Sequence, residues 1–240
     1  HVRSFNTKHM VLCMTMWRPR QQQKTLYLIE AGGRYTHGNA YGIAIHNYFT
    51  AELIMTLTGH KSMIRSLLLH HNIENQLISF SSDTTIKIWN LLQGVCLRTI
   101  QSDHSSETIA CLPLVINRLQ LAAVSGEIDG EIKLVNIDLD NTVKFIEQGV
   151  HTSTVRSIVM LEDKVQENNT MLTVALEKEI AVWQMHRDDF NTTANKGDLT
   201  IAAPVFKLQK VITEPFAEKC CSLAIISDHL LPRGRKILVA

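Results

Sequence analysis

The sequence predicts an all-β chain built from repeated four-stranded antiparallel units. Two observations carry the expectation. Short β-prone runs are closed by polar turn clusters, as where Leu77-Ile78-Ser79-Phe80 and Thr85-Ile86-Lys87-Ile88-Trp89 flank Ser81-Ser82-Asp83-Thr84. The pattern also returns: Ile86-Lys87-Ile88-Trp89-Asn90 is echoed by Ile43-Ala44-Ile45-His46-Asn47, Ile132-Lys133-Leu134-Val135-Asn136 and Ile180-Ala181-Val182-Trp183-Gln184, at intervals of 43–48 residues.

The elements follow in order along the chain. His9–Met14 and Thr25–Ile29 fit the first two strands of the earliest unit, joined by the polar connection Trp17–Gln23, with Leu53–Leu57 as its outer strand. The second unit enters at His60-x-Ser-x-Ile-Arg65-Ser66 and closes on the outer strand Cys96–Ile100. The fourth enters at His151-x-Ser-x-Val-Arg156-Ser157, almost position for position like the second. Val205–Gln209 reads as its outer strand, and Cys221–Ile226 with Lys236–Ala240 begin a fifth unit.

Gly59-His60 ahead of the incoming strand and Trp89-Asn90 at the end of the third resemble the Gly-His and Trp-Asp dipeptides of the WD-repeat β-propeller family. The resemblance implies blades at about 8–58, 59–101, 102–149 and 150–212 and a partial blade at 213–240. At roughly 40–45 residues a blade, a seven-bladed ring takes about 300 residues, so about four and a half blades are expected here. The apolar strand at 236–240 is then expected to continue into further chain or to meet another chain.

The resemblance also implies a buried hydrogen-bonded chain running Asp83, His60, Ser81, Trp89, with the Trp89 indole on Ser81. The third blade keeps His104 and Asp129 of this set. The fourth keeps His151 and Trp183, with Glu177 in the Asp place and Ala175 in the Ser place. In the first, His46 stands where the Trp belongs, with no acid opposite.

Net charge +1 and 20% charged residues give no general pull toward nucleic acid or anionic membrane. No apolar run reaches the roughly 18 residues of a membrane span. Cys13, Cys96, Cys111, Cys220 and Cys221 are scattered, and adjacent residues of a strand point to opposite faces, so they read as reduced thiols of an intracellular protein, cytoplasmic or nuclear. Asn168-Asn169-Thr170 and Asn191-Thr192-Thr193 match a glycosylation pattern that chance alone supplies. Residues 162–170 read as a charged tip and 186–204 as an insertion between the last two strands of the fourth unit, either functional or disordered, with disorder the favoured reading.

Several constellations invite a chemical reading and lose it. His186-Arg187-Asp188 is a kinase-like triplet, but Thr193 stands where Asn is needed and no Asp-Phe-Gly follows. Gly32-Gly33 and Gly38-Asn39 lack the Lys-Ser or Lys-Thr of a phosphate cradle and fall where a turn belongs. His70-His71 beside Glu74 lacks further metal ligands at a usable spacing, and His60 with Asp83 has no exposed nucleophile. No enzyme, metal or cofactor is expected.

The resemblance implies a non-catalytic scaffold for protein–protein contacts within a larger complex. Family members bind partners on the narrow face, which puts Met63, Arg65 and Ser82 of the second blade, Glu107, Ile109 and Ile128 of the third, and Thr154, Arg156 and Leu176 of the fourth at the contact. Arg65 and Arg156 suit an acidic or phosphorylated peptide. Gly94–Ile100 is similar to the outer strands of F-box propellers, which makes a ubiquitin-ligase substrate receptor the alternative. A subunit of an RNA-modifying complex would need a basic stripe, and Arg18 with Arg20, or Arg233, Arg235 and Lys236, form only short clusters.

Overall fold

The structure, a computed structural model, describes residues 4, 5, 7, 9–22, 24–34, 41–70, 73–101, 114–116, 119–125, 130, 132–136, 141–145, 150–162, 169–175, 179–185, 207–212, 224–227 and 236–239. It divides into two compact units, residues 1–107 and 108–240.

The first unit holds two four-stranded sheets, each a meander whose sequence neighbours pair antiparallel. One is β1 (Val11–Trp17), β2 (Tyr27–Gly32), β3 (Tyr41–Asn47) and β4 (Leu53–His60); the other is β5 (Ile64–Leu69), β6 (Gln76–Ser81), β7 (Thr85–Asn90) and β8 (Val95–Gln101). The second unit repeats the plan in β9 (Leu114–Ile116), β10 (Leu119–Ser125), β11 (Ile132–Asn136) and β12 (Asn141–Phe145). A further sheet follows in β13 (Val155–Glu162), β14 (Asn169–Ala175), β15 (Ile180–Met185) and β16 (Lys207–Ile212). The pair β17 (Ala224–Ser227) and β18 (Lys236–Val239) comes last.

The strands sort by burial as their composition requires. β3 and β6 are buried along most of their length on both faces, whereas β4 and β8 show much of theirs to solvent. One face of the first sheet (Trp17, Ile29, Ala31, Ile43, Ile45) meets the second sheet's Ile64, Leu67, Leu77 and Trp89 in a single apolar core. A fully buried aliphatic side chain in such a core stabilises by about 1.5–3 kcal/mol. The fourth sheet has its own core of Leu172, Val174 and Ile180, with Val159, Val182 and Ile212 against it.

The repeat is written in irregularities as well as in strands. A bulge interrupts the inner strand at the same place in three sheets, between Val11 and Cys13, Ile64 and Ser66, and Val155 and Ser157. A second falls just before the Trp position in all four, at Ile45/His46, Ile88/Trp89, Leu134/Val135 and Val182/Trp183. Bulges add twist and re-aim the next side chain, so the recurrence marks a shared architectural device. The turns after β3 and β7 also match. Asn90 Oδ1 accepts from the backbone N–H of Leu92 and Gln93, and Asn47 Oδ1 from those of Phe49 and Thr50.

Several boundaries differ from the sequence expectation. β4 continues through Gly59 and His60, so these residues end the first sheet's outer strand before the chain crosses to β5. Gly59 has φ 144°, a conformation that side-chain-bearing residues avoid. β16 covers Lys207–Ile212, later than the run expected from Val205.

Candidate functional site

Trp89 pairs with Leu77 across β6 and β7, so its indole shares a face with Ser79, the next residue of β6 pointing that way. The indole Nε1 donates to Ser79 Oγ at 2.7 Å, and His60 Nε2 lies 2.7 Å from the same oxygen. The other imidazole nitrogen, Nδ1, is 2.9 Å from Asp83 Oδ2. With the carboxylate taking the Nδ1 proton, Nε2 accepts from the Ser79 hydroxyl, and the donors run Trp89 to Ser79 to His60 to Asp83. Each buried polar group has a partner, which is what lets the line sit in an apolar core.

The hydroxyl expected from Ser81 is therefore supplied by Ser79. Ser81 lies two residues further along the strand, about 6.7 Å from Ser79, which puts it out of reach of the indole. Ser81 instead braces the turn: its Oγ donates to the Ser62 carbonyl and accepts from the Asp83 N–H.

Asp83 is the hub of that turn. Its carboxylate also accepts from the backbone N–H of Lys61 and of Thr85, and from the Thr85 hydroxyl. Burial pushes the carboxyl up, but the hydrogen bonds from His60, Thr85 and Lys61 and the His60 charge outweigh it. They hold Asp83 well below the usual carboxylate range.

The fourth sheet repeats the arrangement with a threonine. Trp183 pairs with Met171, two residues short of Thr173, and its Nε1 donates to Thr173 Oγ1 at 2.8 Å. His151 Nε2 is 2.8 Å from the same oxygen. The Ala175 assignment to the hydroxyl place is thus corrected to Thr173, for the same reason of register. In the third sheet Val135 faces Ala122 and the residue two on is Val124, so both places are aliphatic. His104, Asp129 and Glu177 lie outside the described residues.

The first sheet carries a substitution that sequence reasoning missed. His46 occupies the Trp place and pairs with Leu28, which puts Glu30 in the place of Ser79. Glu30 is 2% exposed. His46 Nε2 is 3.2 Å from its Oε1 and His9 Nε2 2.9 Å from its Oε2. A carboxylate flanked by two imidazoles thus replaces the hydroxyl of the relay, and it is supplied by β2. Counting two residues on from the cross-strand partner, as for Trp89, would have found it.

Of the positions expected at a binding face, Met63, Arg65 and Ser82 come together. Arg65 Nε donates to Ser82 Oγ at 3.1 Å, and the Ser82 N–H to the Met63 carbonyl at 2.8 Å. Arg65 is the bulged residue of β5 and Arg156 the bulged residue of β13. Arg156 is exposed and Thr154 half-buried. Glu107, Ile109, Ile128 and Leu176 lie outside the described residues.

The weaker chemical candidates take structural places. His70 Nδ1 accepts from the Ile73 N–H, and Glu74 pairs at the surface with Arg20. Among the described residues no three His, Cys, Asp or Glu side chains are grouped to hold a metal ion. Gly32 lies against the Met10 carbonyl and Leu12 N–H, where a Cβ has no room, and Gly33 N–H donates to Met10. The glycine pair serves a close strand approach. No helix among the described residues is long and apolar enough to cross a membrane.

Four-stranded meanders with this recurrent relay are the blades of a propeller, and residues 51–90 match the family described as "WD40: WD domain, G-beta repeat". Residues 51–90 thus carry a WD repeat, and the sheets have the fold of propeller blades. It is 37% identical over 97 residues to the nuclear distribution protein PAC1 of Candida glabrata, a stretch covering 40% of this chain and 20% of that protein. Over 70 residues it is 31% identical to the tRNA (guanine-N(7)-)-methyltransferase non-catalytic subunit wdr4 of Dictyostelium discoideum (29% of this chain, 15% of that protein). Over 85 residues it is 31% identical to DDB1- and CUL4-associated factor 13 of Danio rerio (35% and 19%). The matches thus span a fifth or less of these relatives' own lengths. Among solved structures, the computationally designed Ika4 protein aligns with TM-score 0.52 and 18% identity, over 75% of this chain and 94% of that one, a likeness of fold.

Proposed function

We propose that the chain is a non-catalytic interaction scaffold inside a multiprotein complex, and that Arg65 with Ser82 and Met63 receives an acidic or phosphorylated segment of a protein partner. The reading rests above all on the bulge at Arg65. A bulge turns one side chain out of the alternating pattern, and such residues gather at functional sites. Here it falls on an arginine whose Nε is oriented by Ser82, and it recurs on Arg156 in β13. The planar fork of a guanidinium matches the geometry of a carboxylate or phosphate. The intracellular setting is supported by Cys13 and Cys96, both free thiols.

The experiment is partner capture with the parent protein, Arg65→Ala, Arg156→Ala and the double variant, each checked for an unchanged melting temperature. Loss of the partner in Arg65→Ala, deepened in the double variant, is expected. Unchanged recovery by a folded double variant places the contact elsewhere. A second reading, a ubiquitin-ligase substrate receptor, is favoured by the likeness to a protein named for association with DDB1 and CUL4. Recovery of those two proteins with the chain decides for it.

A further inference from the structure

The turn that joins β6 to β7 carries four polar side chains, and three of them are held by neighbouring chain. Ser81 is fully buried, its Oγ engaged by the Ser62 carbonyl and the Asp83 N–H. The Asp83 carboxylate is engaged by His60, the Lys61 and Thr85 N–H groups and the Thr85 hydroxyl, and among the described residues Arg65 is not one of its partners. Thr84 Oγ1 accepts from the Gln101 amide. Ser82 is the exception. It is half-buried, its N–H is fixed on the Met63 carbonyl, and its Oγ lies 3.1 Å from Arg65 Nε. A hydroxyl with part of its surface in solvent thus stands against a guanidinium, while the adjacent carboxylate is engaged elsewhere.

We propose that Ser82 is a phosphorylation site, and that Arg65 captures the phosphoserine within the same chain and so closes itself to an acidic partner. The inference rests on the reading of Arg65 as the partner contact. A protein kinase transfers the γ-phosphoryl group of ATP. The Ser82 O–H proton leaves to the kinase's base, an Oγ–P bond forms, and the bond from the γ-phosphorus to the bridging oxygen breaks to release ADP. The ester adds about −1.5 to −2 charge and three strong acceptor oxygens at pH 7, and it adds them at the atom Arg65 already contacts. Phosphate on a guanidinium fork is among the stronger charge-assisted pairings. Both groups belong to one hairpin and its neighbouring strand, so the pairing is intramolecular and outcompetes a partner's carboxylate at ordinary concentrations. The fourth sheet lacks the device. Arg156 repeats the bulge of Arg65 and is exposed, but Leu176, in the sequence place of Ser82, has no hydroxyl. The switch therefore acts on one arginine of the two.

The test begins with the protein isolated from its native cells under phosphatase inhibition, with phosphate mapped by mass spectrometry; phosphate on Ser82 is expected. Phosphoserine is then incorporated at position 82 of the parent and of Arg65→Ala, and the phosphate is titrated by phosphorus NMR. Its second proton, lost near pH 6 in a free phosphoserine, should be lost about one pH unit lower beside Arg65 than in the Arg65→Ala protein. Partner capture by the phosphoserine protein should fall at least about tenfold below the parent and return on phosphatase treatment. Absence of phosphate from Ser82 in the native protein overturns the site. Equal titration of the two phosphoserine proteins overturns the capture and leaves the partner contact of Arg65 standing. Recovery unchanged by phosphoserine, where Arg65→Ala loses the partner, overturns the closure. Recovery that survives both changes overturns the reading of Arg65 as the contact, and this inference with it.

Discussion

Replacing Ser79 by alanine removes one oxygen and strands two buried groups. Trp89 is 2% exposed and its indole N–H then has no acceptor; the His60 side chain is fully buried and Nε2 loses its donor. Each orphaned group costs about 1–3 kcal/mol, so Ser79→Ala should destabilise by roughly 2–5 kcal/mol. At about 2–4 °C per kcal/mol for a chain of this size, the melting temperature should fall by about 4–20 °C. Ser81→Ala is the control. Its hydroxyl serves two backbone groups of a half-exposed turn, so about 1–2 kcal/mol is expected. Adding Trp89→Phe to Ser79→Ala should cost less than the sum of the single changes, because the phenyl ring has no N–H left to satisfy. The assay is calorimetric melting of the parent, the three single variants and the double variant at neutral pH. A Ser79→Ala protein that melts like the parent, or a larger loss from Ser81→Ala, refutes the relay as drawn here.

Other consequences are open to the same methods. Because Asp83 is held low in the fold, its contribution is complete above the ordinary carboxylate range, near 3.9, and is lost as pH falls through the folded value. The stability gap between the parent and Asp83→Asn should therefore be constant from pH 7 to about 5 and narrow below about pH 4; a gap unchanged at pH 3 contradicts this. Burial first, and the Glu30 charge second, push the Cys13 thiol up to about 12, while Cys96 is exposed. Iodoacetamide at pH 8 should label Cys96 and leave Cys13 intact, and equal labelling read by mass spectrometry disproves it. Glu30→Ala leaves two buried imidazoles facing each other without their carboxylate and should cost about 3–5 kcal/mol. The pair Glu30→Ser with His46→Trp, which rebuilds the relay of the second sheet, should recover part of that loss in thermal melts.

What was legible in the sequence and what was not divide along a physical line. Four-stranded units were readable because β-prone runs, turn clusters and the Trp, His or Val at the end of the third strand recur at fixed intervals, and each is a local property of the chain. The His60–Asp83 contact was legible as part of the same pattern. The identity of the hydroxyl was not. Ser79 and Ser81 share a face of β6 and differ only in distance from Trp89, which depends on cross-strand register. The β6–β7 register is set by the turn that joins the two strands, which sequence spacing does not display. The same ignorance hid Thr173 behind Ala175 and left Glu30 unremarked. Glu30 is further disguised because a carboxylate in a strand reads as solvent-facing until two histidines are found around it.

The central claim is that two sheets far apart in the chain carry one buried indole–hydroxyl–imidazole line. Hydrogen exchange of the indole N–H groups tests it directly, since the chain has only three tryptophans. Trp89 and Trp183 should exchange only through opening of their sheets, slower than free indole by several powers of ten. Trp17, itself buried but with its Nε1 at 3.3 Å from Oδ1 of the half-buried Asn75, should exchange faster than either. Exchange of Trp89 or Trp183 at the rate of free indole would contradict the account.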